Sequence, residues 1–401
     1  MMHQYHKSIR NFFTAKKSCV ILAPHKQKVS DMLSRFSVKD FKNFENEVVL
    51  DFTNPKGYNF NDEYIKSGII SKALIYGKNG SGKSNLGFAI FDIIKHITDK
   101  NINSSNYVHY INSNSDSEIA EFNYEFTFNC GKIKYNYGKK NIEELVFEEI
   151  FINDNLFARV DRRANSIAEI NAEGAESLER DIGDSNISLV TYISKNTVLV
   201  KNDTNKCFMK FIEFVNKMLF FRSLDGNSYI GLQQGSSGIL EDIVEKDNVK
   251  DFENFLNAAG VKCTLVEMDT EEGKAIGFRF KHKTIPFYSI ASQGTKALAL
   301  FYFWLQRFKE TDSVKFIFVD EYDAFYHHEL SELIVERLLE VGAQVIITTH
   351  NTSVISNDLL RPDCYYILTE AGIKSLPNLT RKELREAHNI EKMFKAGAFN
   401  V

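Results

Sequence analysis

Eight consecutive residues, Gly77-Lys78-Asn79-Gly80-Ser81-Gly82-Lys83-Ser84, restrict this chain more than any other stretch. They fit the spacing G-x-x-x-x-G-K-[ST], in which a glycine-rich turn aims successive backbone N–H groups at one anion. Glycine is needed because so tight a turn uses backbone conformations that a side chain resists. Lys83 is a compact cation able to reach β- and γ-phosphates, and the Ser84 hydroxyl can ligate Mg²⁺. Ala73-Leu74-Ile75-Tyr76 ahead of the octet reads as a short apolar strand. Behind it Leu86, Ile90, Ile93, Ile94 and Ile97 recur at helical spacing, which predicts one helix with its N-terminal dipole facing the anion. The four fixed positions match by chance in roughly one chain of this length in a hundred, and the strand–loop–helix setting lowers that further. The expectation is a nucleoside triphosphate held by Gly77 through Ser84 and the adjoining Asn85.

A second stretch completes the pattern. Phe316-Ile317-Phe318-Val319 is an apolar strand that ends in Asp320-Glu321. Ligands bind at the carboxyl edge of parallel sheets, where Asp320 would help hold Mg²⁺ and Glu321 would orient or deprotonate water. The next strand, Gln344-Val345-Ile346-Ile347-Thr348-Thr349, closes on His350, placed to meet the γ-phosphate or the water. Asp323, His327, His328 and Glu329 lack ligand spacing on a helix, so no metal centre is expected there.

The remaining chain divides by pattern. Residues 1–32 are a basic extension, with six Lys/Arg and no Asp or Glu in the first 30, suited to solvent or to an anionic partner such as DNA. Residues 33–173 hold Arg35–Phe41 and Glu47–Phe52 as strands, then the phosphate loop. Ile119–Phe128, Lys132–Tyr137, Leu145–Ile152 and Leu156–Val160 follow as a flanking antiparallel sheet. Residues 174–270 read as a mostly helical insert, on the stripe Phe208, Phe211, Ile212, Val215, Leu219 and a second helical region from Leu240 to Leu256. Residues 271–401 return to strand–helix–strand alternation, the sign of a parallel sheet covered on both faces.

At 401 residues, with 33 Phe and 17 Tyr, a large core is available, and only 5 Pro argue against long disordered linkers. A net charge of −4 gives no global polyanion signature and leaves a local patch open. The five cysteines are scattered and never paired as C-x-x-C, which suits a reducing cytosol and argues against structural zinc. No apolar run approaches a membrane span, and Val20–Ala23 is too short for a signal core. A soluble cytoplasmic protein without membrane contact is expected.

Leu33–Phe52, Gly77–Ser84, Ser292-Gln293-Gly294-Thr295, Asp320-Glu321 and His350 together resemble the ATPase heads of the SMC/RecF branch of the ABC superfamily. The resemblance covers roughly 33–100 and 285–370. It implies an α/β head with a P-loop parallel core sheet, a flanking antiparallel sheet and an inserted helical lobe. It also implies ATP and Mg²⁺ enclosed between two copies, with Ser292, Gln293 and Gly294 reaching the partner's γ-phosphate in trans. Asp323 would sit in the loop crossing that interface. Phe41-Lys42-Asn43-Phe44 resembles the branch's N-F-R-S-type segment, with Lys42 where an arginine touches phosphate. The signature S-Q-G-T departs from the transporter-like S-G-G-Q, and no Q-loop glutamine is evident.

Size, compact insert and the ending Glu386–Phe399 are similar to stand-alone ATPases of bacterial anti-phage systems, the RloA/AbiL-like group and the ATPase subunit of PARIS systems. The similarity implies a nucleotide-gated sensor or scaffold, a homodimer or higher homo-oligomer, that holds a separate toxic effector. Only about 80 residues follow Asp320, so no nuclease domain is expected after it. A RecF-like DNA repair or replication factor is the alternative, and an ATP-locked structural assembly a third. A transporter cassette fits least.

Overall fold

The computed structural model describes residues 31–100, 102–183, 185–222, 228–231, 238–270, 273–308, 313–322 and 328–399. Residues 1–30 of the basic extension, Asp323 and His327 lie outside the described residues, and Met32, expected in that extension, belongs to the first strand.

The chain opens with β1 (Met32–Lys39) and β2 (Val48–Asp51), joined by a tight turn at Phe41–Phe44. A short hairpin, β3 (Ile65–Lys66) and β4 (Ile69–Ile70), leads to β5 (Lys72–Tyr76). The phosphate loop follows β5, and helix α1 (Lys83–Phe91) follows the loop. The expected single helix is broken at Asp92, and α2 (Ile93–Ile97) continues beyond the break. Asp92 is fully buried and accepts from Tyr110, Tyr137 and Lys139, partners that fix its side chain.

Strands β6 (Ala120–Phe128), β7 (Gly131–Lys139), β8 (Leu145–Ile152), β9 (Asn155–Asp161) and β10 (Glu169–Ile170) add to β1 and β2. The resulting antiparallel sheet has order β10-β9-β8-β7-β6-β1-β2. Period-two alternation explains it: Phe122, Tyr124 and Phe126 of β6 and Ile133, Tyr135 and Tyr137 of β7 are all buried. Helices α3 (Leu189–Asn196) and α4 (Asp203–Asn216) come next. Phe211 and Phe214 of α4 pack on Phe126, with centroids 5.2 and 5.3 Å away.

Strand β11 (Met218–Arg222) pairs in parallel with β16 (Phe316–Asp320), and β12 (Ser228–Gly231) borders it. The stretch expected to be mostly helical therefore contributes two strands to the core sheet. Leu219, expected on the α4 stripe, belongs to β11, because Met218–Phe221 is an apolar run that periodicity cannot distinguish from helix. Beyond β16 come α9 (His328–Leu339), β17 (Gln344–Thr349), β18 (Tyr365–Thr369), β19 (Gly372–Ser375) and α10 (Ile390–Lys395). The core sheet has order β12-β11-β16-β17-β5-β18-β19; its five inner strands are parallel and both edge strands antiparallel. Helix α1 lies against this sheet at Gly87, where a Cβ would come within 2.5 Å of Phe220 and 2.9 Å of Phe318. On its other side Tyr124 donates to Ala89 O and Ile90 O. The helix that carries the phosphate loop is thus clamped between two sheets.

Residues 236–304 cluster as a second compact unit. It contains α5 (Ile239–Glu245), α6 (Val249–Ala258), a three-stranded sheet of β13 (Leu265–Thr270), β14 (Gly273–Arg279) and β15 (Thr284–Pro286), and α7 (Phe287–Ile290). Helix α8 (Gln293–Phe308) begins in this unit. Strand β13 pairs with β14 and β14 with β15, all antiparallel.

Cys130, in the β6–β7 turn, and Cys207 of α4 form a disulfide with Cα atoms 5.6 Å apart, at odds with the expectation of a reducing compartment. Among the described residues no helix is long and apolar enough to cross a membrane, and no group of three His, Cys, Asp or Glu is arranged to hold a metal ion.

Candidate functional site

Strand β5 lies between β17 and β18, so its carboxyl end, Gly77, opens at the edge where β16 and β17 also finish. Gly77 donates to Thr349 O at 3.3 Å, which seats the loop on the end of β17. A Cβ on Gly77 would stand 2.4 Å from Ser81 Oγ, so the loop closes over a position only glycine can hold. Gly80 and Gly82 take φ of +82° and +98°, the left-handed region that turns the loop into the N-terminus of α1. Lys78, Asn79 and Gly80 are exposed.

Lys83 is 3% exposed, and its ammonium donates to Gly77 O at 2.8 Å and Lys78 O at 3.2 Å. It also stands 3.4 Å from Glu321 Oε1. Asp320 is 4% exposed and accepts from Thr348 Oγ1 at 2.8 Å and from the Ser84 hydroxyl. Burial raises its pKa above the usual carboxylate range, against the opposing effects of those two hydroxyls. Thr348 does double duty, because its oxygen also accepts from Glu321 N at 2.9 Å. Glu321 itself sits at φ +45°, a backbone state uncommon outside glycine. The sequence-predicted residues Ser84, Asp320, Lys83 and Glu321 are thus brought together. His350 follows β17 at the same sheet edge and is exposed.

Lys42 is placed differently from its expected role. Its ammonium donates to Val108 O at 3.0 Å and lies 5.7 Å from the ring centroids of Phe41 and Phe88, and burial lowers its pKa. The neighbouring Asn43 is the residue of that turn that meets the loop. Its Oδ1 accepts from Asn85 Nδ2 at 2.7 Å, and its amide lies where a Cβ on Gly82 would be, 2.4 Å away. In the second unit, Ser292 caps α8: its Oγ accepts from Thr295 N at 3.1 Å and lies 2.8 Å from Thr295 Oγ1. Ser292 and Gln293 are exposed and Gly294 is half-buried.

Three residues escaped the sequence reading. Asn43 stood one position from the residue chosen. Thr348 carried a faint signal as one of two hydroxyls that follow Val345-Ile346-Ile347 in the strand. Arg222 ends the apolar run of β11 opposite Asp320 in register, lowers the pKa of that carboxyl, and stacks over Phe88 at 4.6 Å.

The pocket's chemistry fits a nucleoside triphosphate with a divalent cation. Ser81 Oγ is buried without a hydrogen-bond partner, and Gly80 and Gly82 turn the loop toward the α1 N-terminus. Lys83 could meet the phosphates, and Ser84 with Asp320 is a hard-oxygen pair suited to Mg²⁺.

A family model described as "AAA domain, putative AbiEii toxin, Type IV TA system" matches residues 72–356, more than half of the chain. No curated protein matches. Among solved structures the chain is similar to an SMC head domain from Thermotoga maritima, at 15% identity and a TM-score of 0.38, covering 86% of this chain and 98% of that one. An SMC head with an extended coiled coil from Pyrococcus furiosus, bound to the C-terminal domain of ScpA, matches at 14% identity and a TM-score of 0.43, covering 91% and 98%. The recombination mediator RecF with an ATP analogue matches at 13% identity and 0.39, covering 88% and 100%.

Proposed function

The chain belongs to the AAA-domain family described as putative AbiEii toxin of type IV toxin–antitoxin systems, and from that premise we propose that it is an ATPase of the SMC- and RecF-like ABC type that couples ATP hydrolysis to control of a separate effector protein. The observation that carries the catalytic part is the chain of contacts from Lys83 to Glu321 and from Ser84 through Asp320 and Thr348 back to Glu321.

In this reading the loop amides of Gly77–Ser84 and the Lys83 ammonium bind the β- and γ-phosphates, with Asn85 behind them. Ser84 and Asp320 hold Mg²⁺, whose charge when bound offsets that of the phosphates. Thr348 fixes the Asp320 carboxylate and the Glu321 backbone, so that the Glu321 carboxylate can accept a proton from water once phosphate competes for Lys83. His350 donates to the γ-phosphate or orients the water. Ser292, Gln293 and Gly294 of a second copy complete the pocket, with Asp323 at that interface, which makes closure of two copies depend on the nucleotide. The Lys42 ammonium, held by Val108 O in the described conformation, would leave that contact to touch phosphate.

Gating requires the effector to bind one nucleotide state better than another. The family's description names a type IV toxin–antitoxin system, and the setting proposed for this gating is anti-phage defence. The test compares wild type, Lys83→Ala and Glu321→Gln for phosphate release, sedimentation with ATP, and retention of the partner encoded alongside. Glu321→Gln should stop turnover and accumulate the closed pair, and Lys83→Ala should stop turnover without accumulating it. Equal partner retention in all three overturns gating. A RecF-like repair role would instead give tight, steeply salt-dependent duplex DNA binding and no protein effector.

A further inference from the structure

Residues 273–304 contain no Asp or Glu but carry Lys274, Arg279, Lys281, His282, Lys283 and Lys296. Four of these six basic residues fall in one short turn. Strands β14 and β15 pair with Arg279 opposite Thr284, and Phe280 N donates to Lys283 O at 2.9 Å, so the hairpin closes over Lys281 and His282. Arg279 through Lys283 are all exposed. Phe278, on the same face of β14 and 8% exposed, stacks on Phe287 with centroids 5.1 Å apart and planes at 11°. Two residues on, that aromatic stripe runs out into solvent, and Phe280 is 50% exposed.

The carboxylates of the partner strand lie toward the other end. Asp269 is opposite Lys274 and Glu267 opposite Ile276. Glu253, nearer the tip, is buried and engaged with Leu265 N and Lys250. Among the described residues none of Arg279, Lys281, His282 and Lys283 forms an ion pair. The tip therefore presents concentrated positive charge around one uncovered ring.

We propose that the β14–β15 hairpin tip, Arg279-Phe280-Lys281-His282-Lys283, is a docking surface for single-stranded nucleic acid. The cations meet the backbone phosphates, and the Phe280 ring offers a face on which an unpaired base stacks. Duplex bases are already stacked on each other and offer that ring nothing. An acidic polypeptide would satisfy the cations and leave Phe280 without a role.

The inference is separate from the ATPase reading, so it is tested on nucleotide-free full-length protein. A labelled oligothymidylate of about 20 nucleotides is titrated by fluorescence anisotropy over a salt series. The same titration uses the duplex form, polyglutamate and phosphatidylserine vesicles. Binding of the single strand should weaken about 5- to 100-fold in Phe280→Ala and recover in Phe280→Tyr. The double variant Lys281→Ser/Lys283→Ser should flatten the log–log salt slope by about 1.4, at about 0.7 per phosphate contact. Unchanged ATP turnover in these variants would show that they fold. Absent binding, or variants that bind like wild type, overturns the proposal. So does tip-dependent binding that is tighter for duplex, polyglutamate or vesicles than for the single strand.

Discussion

Replacing Thr348 with valine tests the site's internal wiring directly. The two side chains have nearly the same shape, so the change removes a hydroxyl without opening a cavity. That hydroxyl donates to Asp320 at 2.8 Å and accepts from Glu321 N at 2.9 Å. A lost hydrogen bond to a buried carboxylate costs about 1.5 kcal/mol or more, and an orphaned backbone N–H adds about 1 kcal/mol or more. The variant should therefore unfold about 2–4 kcal/mol more easily in urea. Turnover should suffer more than binding. With its N–H released, Glu321 is free to leave the φ +45° state that puts its carboxylate beside Lys83, whereas the loop amides are untouched. Phosphate release should fall more than about tenfold while the ATP dissociation constant stays within about threefold. The variant also loses a hydrogen bond that holds the Asp320 pKa down, leaving burial less opposed, so the acid limb of activity should move to higher pH. Thr348→Ser keeps the hydroxyl and should restore both readouts. A valine variant within about 0.5 kcal/mol and twofold of wild type would refute the wiring.

The nucleotide pocket was legible because its chemistry demands fixed identities at fixed spacing. A phosphate cradle cannot be built at Gly80 and Gly82 from ordinary residues, and an apolar strand ending in Asp320-Glu321, a weak signal alone, gains its meaning downstream of such a loop. The Cα-level connections between distant segments were not legible. Met218–Phe221 looks the same as a strand or a buried helical turn, and only its pairing with Phe316–Val319 decides. Asp92 sits in an aliphatic stripe that predicts an unbroken helix, and its partners Tyr110, Tyr137 and Lys139 lie 18 to 47 residues away. Cys207 meets a cysteine 77 residues earlier. Asn43 could not be told from Lys42 beside it, since which of two turn residues faces the loop depends on the φ of +52° at Lys42.

Gly82→Ala should raise the ATP dissociation constant at least about tenfold in a fluorescent-nucleotide titration, because the new Cβ meets Asn43 2.4 Å away at a strained φ. Adding Asn43→Gly should recover only part of the loss, since the backbone strain remains. Reducing the Cys130–Cys207 disulfide should lower unfolding free energy by about 2–4 kcal/mol, a shift absent from Cys130→Ser/Cys207→Ser, as followed by urea denaturation with and without dithiothreitol. The last expectation concerns His96, which lies half-buried on α2 with Nε2 2.8 Å from Tyr135 OH and a buried Nδ1 that has no hydrogen-bond partner. Burial first, then the charges of Lys139 and Arg162, lowers its pKa well below the ordinary value of 6.5. The unfolded chain therefore takes up a proton near pH 6.5 that the folded chain refuses. The contribution of His96 is constant above that pH and is lost as pH falls, by about 1.4 kcal/mol per unit until the folded imidazole titrates. His96→Gln, which cannot titrate, should flatten the acid limb between pH 6.5 and 5 relative to wild type in urea melts. Parallel acid limbs in the two proteins would mean that the imidazole is charged inside the fold, and the packing of α2 on Tyr135 and Tyr137 would have to admit a cation beside Lys139.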